Sequence, residues 1–226
     1  MSGVTHRKVV SVYGGSAAHH RALTEPKYAK WLAGTVYLPD LPEVGLPDHD
    51  VLLVPERLHR GKLHAARPRL LESLEAGHTV VVFGDQSVYA EHPQDWLPGI
   101  DWTHTPTNYW WWLDREATSG LHAHLPEHDL WRHLSLADAT WHHHGVLRPP
   151  EGAEVLITHD DGGAVLYVDR VSTPGTLVVA ALDTMSHFGS YFMPATERFL
   201  DGFLPWLAEG ALTIDDLEKV TNGQRP

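Results

Sequence analysis

Apolar positions fall first into short unbroken runs. Lys8 to Tyr13 (KVVSVY), Val51 to Val54 (VLLV), Thr79 to Phe83 (TVVVF) and Leu177 to Leu182 (LVVAAL) are rich in β-branched residues and too short for helices, so each predicts a strand. Runs without alternation belong to strands covered on both faces, which predicts a mainly parallel sheet held between helical layers. The first run ends in Gly14-Gly15-Ser16, a tight turn. Between the second and third, Lys62 to Ala76 carries Leu63, Ala66, Leu70, Leu71 and Leu74 at helical spacing, with Gly77 placed as a C-cap. The result is a strand, helix, strand unit.

Alternation enters later. Glu154 to Thr158 and Ala164 to Arg170 flank the turn Asp160-Asp161-Gly162-Gly163, which predicts a β-hairpin. Pro194 to Leu207 brings Phe199, Leu200, Phe203, Leu204 and Trp206 together as a closing helix. The stretch from Tyr89 to Leu147, crowded with Pro, His and Trp, has no clean period and is read as irregular. No repeat or linker divides the chain. The expectation is one α/β domain over 1–212, a three-layer α/β/α sandwich with an added hairpin, and a polar tail over 213–226.

Composition changes this picture in three ways. The formal net charge of −12, with no Lys/Arg cluster, argues against nucleic acid as a partner. No apolar run reaches the ~18 residues that span a bilayer, and MSGVTHRKVV lacks the apolar core of a secretory signal, so no membrane partner and a cytoplasmic address are expected. The absence of cysteine removes disulfides and thiolate nucleophiles, while 18 histidines supply imidazoles that titrate near neutrality and bind metals.

Taken in order, Leu74-Glu75-Ala76-Gly77-His78 leading into Val80 to Phe83, then Trp141-His142-His143-His144-Gly145-Val146-Leu147 before the hairpin, then Gly175 through His187 to Trp206, resemble the class I glutamine amidotransferase-like superfamily. Within it they are most similar to the ThuA-like (trehalose-utilisation-like) branch. The resemblance runs from Lys8 to Leu207 and implies a flavodoxin-like α/β sandwich. In that family a cysteine follows a central strand, and a histidine with a glutamate two residues later completes the site. Here the nucleophile place falls on Gly84 or Asp85, His187 stands where the histidine would, and Gly189 takes the glutamate place. Glutamine hydrolysis through a thioester therefore has no nucleophile. The resemblance implies instead a protein of carbohydrate or similar small-polar-metabolite metabolism, or a non-catalytic domain that keeps the fold and binds a ligand or protein.

Ligands of open parallel sheets collect at the carboxyl ends of the strands, which selects the candidates. His187, Glu56 and Asp85 are expected to carry proton transfer. Arg57, Gln86 and Ser87, with Trp110, Trp111 and Trp112 as an aromatic wall, are expected to bind a sugar-like molecule. A divalent ion such as Zn²⁺ would take His19, His143 and Asp183. Each has a plainer alternative: imidazoles that hydrogen-bond to backbone, Ser87 as a helix cap, Glu56 and Arg57 as a solvated pair, and the Tyr109 to Trp112 run as a contact in a homo-oligomer.

Overall fold

All four unbroken runs form strands, and the computed structural model describes them within residues 6–84, 100–104, 118–141, 143, 145–160 and 162–209. In chain order the elements begin β1 (Val9–Tyr13), α1 (Ala17–Thr24), α2 (Pro26–Ala29), β2 (Gly34–Tyr37), α3 (Leu41–Val44), β3 (Val51–Val54), α4 (Arg60–Glu75) and β4 (Thr79–Phe83). Short strands β5 (Trp102–His104), β6 (Leu121–Ala123) and β7 (Gly145–Leu147) follow, with two 3-10 turns at Asp129–Arg132 and Leu136–Ala139. The chain then forms β8 (Glu154–His159), β9 (Gly163–Asp169), β10 (Thr176–Ala180), α5 (Thr184–Gly189) and α6 (Pro194–Glu209).

The fold is α/β, but its sheet is mixed, which corrects the expectation of a mainly parallel one. Strands β2, β1, β3, β4 and β10 lie side by side in that order and are parallel, with Leu52 opposite Val80 and Val81 opposite Val178. Beyond β10 every pairing is antiparallel: β9 with β10, β8 and β7, then β7 with β5 and β8 with β6. Connection length explains the change. Only residues 160–162 separate β8 from β9, and only 170–175 separate β9 from β10. Neither link can hold the crossover of about a dozen residues that a parallel return requires. The segment read as irregular thus supplies three short strands and two tight turns within its described part.

Both halves feed one core. Every residue of β3, β4 and β9 is buried, as full coverage of both faces demands. Helix α4 buries Leu63, Ala66, Leu70 and Leu74, as their spacing requires, and Gly77 beyond it has a left-handed φ of 86°. Contacts among the helices fall into two groups, α1, α2, α5 and α6 in one and α3 with α4 in the other. Phe199 and Phe203 of α6 stack with ring centroids 4.7 Å apart and meet Phe83 of β4. Among the described residues, no helix is long and apolar enough to cross a membrane.

Candidate functional site

Strand order turns at β1, whose neighbours β2 and β3 lie on opposite sides, and the carboxyl ends of β1, β3 and β10 share one edge. A crevice at such a switch point is where open α/β sheets bind ligands. From β3 the chain passes Pro55 and delivers Glu56, fully buried, followed by the exposed Arg57. Arg57 has a φ of 55°, a left-handed backbone that costs a non-glycine residue about 1 kcal/mol. Strain of this kind collects at functional sites, where surrounding contacts enforce it.

The enforcing contact comes from α5. Asp183 Oδ2 accepts from Arg57 Nη2 at 2.6 Å and lies 2.9 Å from His187 Nε2. Asp183 and His187 are four residues apart, so one helical face presents both. On the same short helix the Ser186 amide donates to Glu56 Oε1 at 2.5 Å, and Ser186 Oγ lies 3.2 Å from His19 Nε2 of α1. Three segments distant in sequence are thereby joined: α1, the turn after β3, and α5.

Burial sets the charges. It raises the Glu56 carboxyl to about 8, with the nearby Asp183 charge adding to the effect against the opposing Ser186 amide, so Glu56 is mostly protonated at neutral pH. Burial also depresses His19 to about 4, helped by the Arg57 charge, so this imidazole is neutral. Glu56 Oε2, His19 Nδ1 and Thr184 Oγ1 are buried polar atoms without a hydrogen-bond partner among the described residues. Native interiors rarely leave such atoms unsatisfied, and water or a ligand usually completes them.

His187 also lines a cavity of about 140 Å³ with Arg21, Phe188, Tyr191, Met193 and Glu197. Tyr191 is 80% exposed and Phe192 54%, while the Arg21 guanidinium sits 3.5 Å from the Tyr191 ring centroid. Two uncovered aromatic rings beside a polar cavity make a surface suited to the apolar faces of a polyol. The arrangement offers a neutral acid, an imidazole backed by a carboxylate, and a guanidinium.

Of the residues selected from sequence, Glu56, Arg57, His19, Asp183 and His187 come together. Asp85, Gln86, Ser87, Trp110, Trp111 and Trp112 lie outside the described residues, as do His142 and His144. The metal trio is not assembled, because His143 lies just before β7, its ring 4.6 Å from that of His159 at the end of β8. Among the described residues no three His, Cys, Asp or Glu side chains converge to hold a metal ion. Sequence reasoning also missed Ser186 and Thr184. The i, i+4 spacing of Asp183 and His187 is the signal that would have marked this helix as part of the site.

The places where an amidotransferase-like triad would stand are crowded. A Cβ on Gly84 would lie 2.8 Å from Ala180 O, and one on Gly189 2.0 Å from Ala18 O. Gly84 instead donates its amide to Ala180 O, and Gly189 lets α5 press against the backbone of α1. No known protein-family model matches the chain, and no curated protein matches it.

Proposed function

We propose that this chain is a cysteine-free, ThuA-like member of the amidotransferase-like sandwich proteins that binds and acts on a carbohydrate or similarly small, hydroxyl-rich metabolite at the carboxyl ends of β1, β3 and β10. The observation that carries the reading is Glu56, a buried carboxyl with one unpartnered oxygen beside the strained Arg57, Asp183 and His187. Two features support the fold assignment: the parallel order β2-β1-β3-β4-β10, which is the flavodoxin-like order, and the two helix groups expected of a three-layer sandwich.

In this reading Glu56 works as an acid. A protonated carboxyl donates a hydrogen bond, or a proton, to a substrate oxygen, and its raised pKa keeps it able to do so near neutrality. His187 accepts a proton, with Asp183 orienting the ring and stabilising the imidazolium that forms. Arg57 neutralises Asp183 and orders the loop after β3. The glutaminase route is absent from this scheme, since Gly84 and Gly189 leave no room for the side chains it needs. No step uses a divalent ion, because the imidazoles and carboxylates at this edge do not converge on one point.

Full burial of Glu56 and Asp183 favours a second reading, in which the same network only stitches β3 to α5 and the domain binds without catalysis. Titration separates the two. Glucose, trehalose and inositol are tested by saturation-transfer NMR against the wild type, Glu56→Gln and His187→Ala. At least one sugar is expected to bind, with affinity falling as pH rises past about 8 where Glu56 ionises. His187→Ala should abolish turnover while retaining binding. Sugar binding that ignores both pH and Glu56→Gln would overturn the role given to Glu56.

A further inference from the structure

The opposite edge of the sheet carries a different chemistry. There β4 and β10 begin side by side, with Thr79 directly opposite Thr176. Arg7 arrives just before β1 and Arg170 just after β9, and both line a cavity of about 50 Å³ with these two threonines, Asp129 and Trp206. A water needs only about 10–15 Å³ of such space, so the cavity holds a few waters or one compact ion. In a chain whose formal net charge is −12, two guanidiniums at one small hollow are an exception.

Arg7 is the informative group. Its Nη2 donates to Thr79 Oγ1 at 2.6 Å and to the Asp50 carbonyl at 3.5 Å, both neutral oxygens. Its Nε and Nη1 make no hydrogen bond among the described residues, and no carboxylate forms an ion pair with it. The Asp50 carboxylate is nearby but accepts from the Lys8 amide at 2.7 Å, and the Asp129 carboxylate lies 3.1 Å from His128 Nδ1. Partial burial lowers the proton affinity of Arg7, and the Arg170 charge lowers it further against the opposing pull of the two carboxylates. A guanidinium does not release its proton in response, so the cost of desolvating it stays in the structure until an anion offsets it.

The remaining donors face the same way. Arg170 donates Nη1 to Thr176 Oγ1 and Nε to Glu154 Oε1, each at 3.2 Å, and its Nη2 is uncommitted among the described residues. Because each threonine oxygen accepts from a guanidinium, each hydroxyl proton is left to donate elsewhere. Two guanidiniums, two hydroxyl protons and one carboxylate make a wall of net positive charge with an excess of donors. We propose that this hollow is an oxyanion site, fitted to inorganic phosphate or to the terminal phosphate or carboxylate of a metabolite. It is independent of the sugar reading, since Glu56 and His187 stand at the other ends of the strands.

The test uses the full chain. Inorganic phosphate, acetate and glycerol 3-phosphate are titrated by calorimetry at constant ionic strength set with sodium chloride. Saturable 1:1 binding of phosphate is expected, weakened about tenfold or more in Arg7→Gln and in Arg170→Gln, as the loss of charge-assisted hydrogen bonds requires. Glu56→Gln should leave it unchanged. If glycerol 3-phosphate binds as well as phosphate, the hollow takes the terminal group of a larger molecule; if it binds much more weakly, the free ion is the ligand. Arg170 is half exposed, so its variant is expected to fold even if Arg7→Gln does not. The proposal fails if no anion titrates saturably, or if Arg170→Gln binds phosphate as the wild type does.

Discussion

In the parallel half of the sheet β1, β3, β4 and β10 all end at one edge, whereas in the antiparallel half each edge mixes strand beginnings with strand ends. Both halves bury their central strands completely, β3 and β4 in one and β9 in the other. What differs is where polar side chains go. The shared edge of the parallel half collects Glu56, Arg57, Asp183 and His187 from turns more than a hundred residues apart in sequence. The antiparallel half spreads its imidazoles over separate small contacts: His122 on Asp160, His124 on Thr158 and His143 on His159. Strand direction therefore gathers chemistry in this chain more than its abundance of histidine does.

The largest expected effect tests whether the halves are separable at all. Phe199 of α6 touches both, with ring centroids 6.1 Å from Phe83 of β4 and 5.5 Å from Trp141 ahead of β7. Truncation to Ala removes a fully buried ring and should cost about 3–5 kcal/mol. Urea unfolding followed by tryptophan fluorescence and by far-ultraviolet circular dichroism should show one coincident transition at a lower midpoint. Two separated transitions would mean that α6 does not couple the halves.

A smaller effect sharpens the contrast in polar chemistry. Arg57→Ala strips the buried Asp183 of its cationic partner and should destabilise by about 2 kcal/mol, less than a wholly buried pair because the arginine is 40% exposed. His122→Ala removes an equally short contact with Asp160, but both side chains there are more than half exposed, so stability should stay within about 0.5 kcal/mol of the wild type. Equal costs in chemical denaturation would show that the edge of the parallel half is no better organised than the surface.

The same division governs how much could be read from the sequence. Strands β3 and β4 have the predicted boundaries, and α4, the hairpin and α6 fall within a few residues of expectation, because full burial imposes an apolar pattern on each. Strand β2 was not foreseen. Its GTVY buries only one residue in four at the sheet edge, too little to leave a signature. Strands β5, β6 and β7 are three residues long, shorter than any window in which alternation can be counted. For the site, the strand-end rule found Glu56, Arg57, His19, Asp183 and His187. It missed Ser186, because a backbone amide that binds a carboxylate has no side-chain signature, and it grouped His143 with them, because a sequence does not tell which half a histidine serves.

The finest test concerns Glu56 and His19, which differ in the sign of their linkage to pH. Glu56 is raised from an ordinary carboxyl value to about 8, so the folded state holds a proton that the unfolded chain has lost, and stability falls as pH rises from about 4.5 to 8. His19 is depressed from 6.5 to about 4, so the unfolded chain holds the extra proton, and stability rises with pH across that window. Between about pH 4.5 and 6.5 the two slopes oppose and nearly cancel. Above 6.5 only Glu56 is left, and at one proton per molecule it removes about 2 kcal/mol by pH 8. Thermal or urea unfolding of Glu56→Gln should lack that alkaline loss, and the difference from wild type isolates this group from every other titration. His19→Gln should retain the alkaline loss and add a decline that begins near pH 4.5, since nothing then offsets Glu56. If Glu56→Gln keeps the wild-type slope between pH 6.5 and 8, Glu56 is ionised in the native protein, and the acid at the heart of the proposed site is gone.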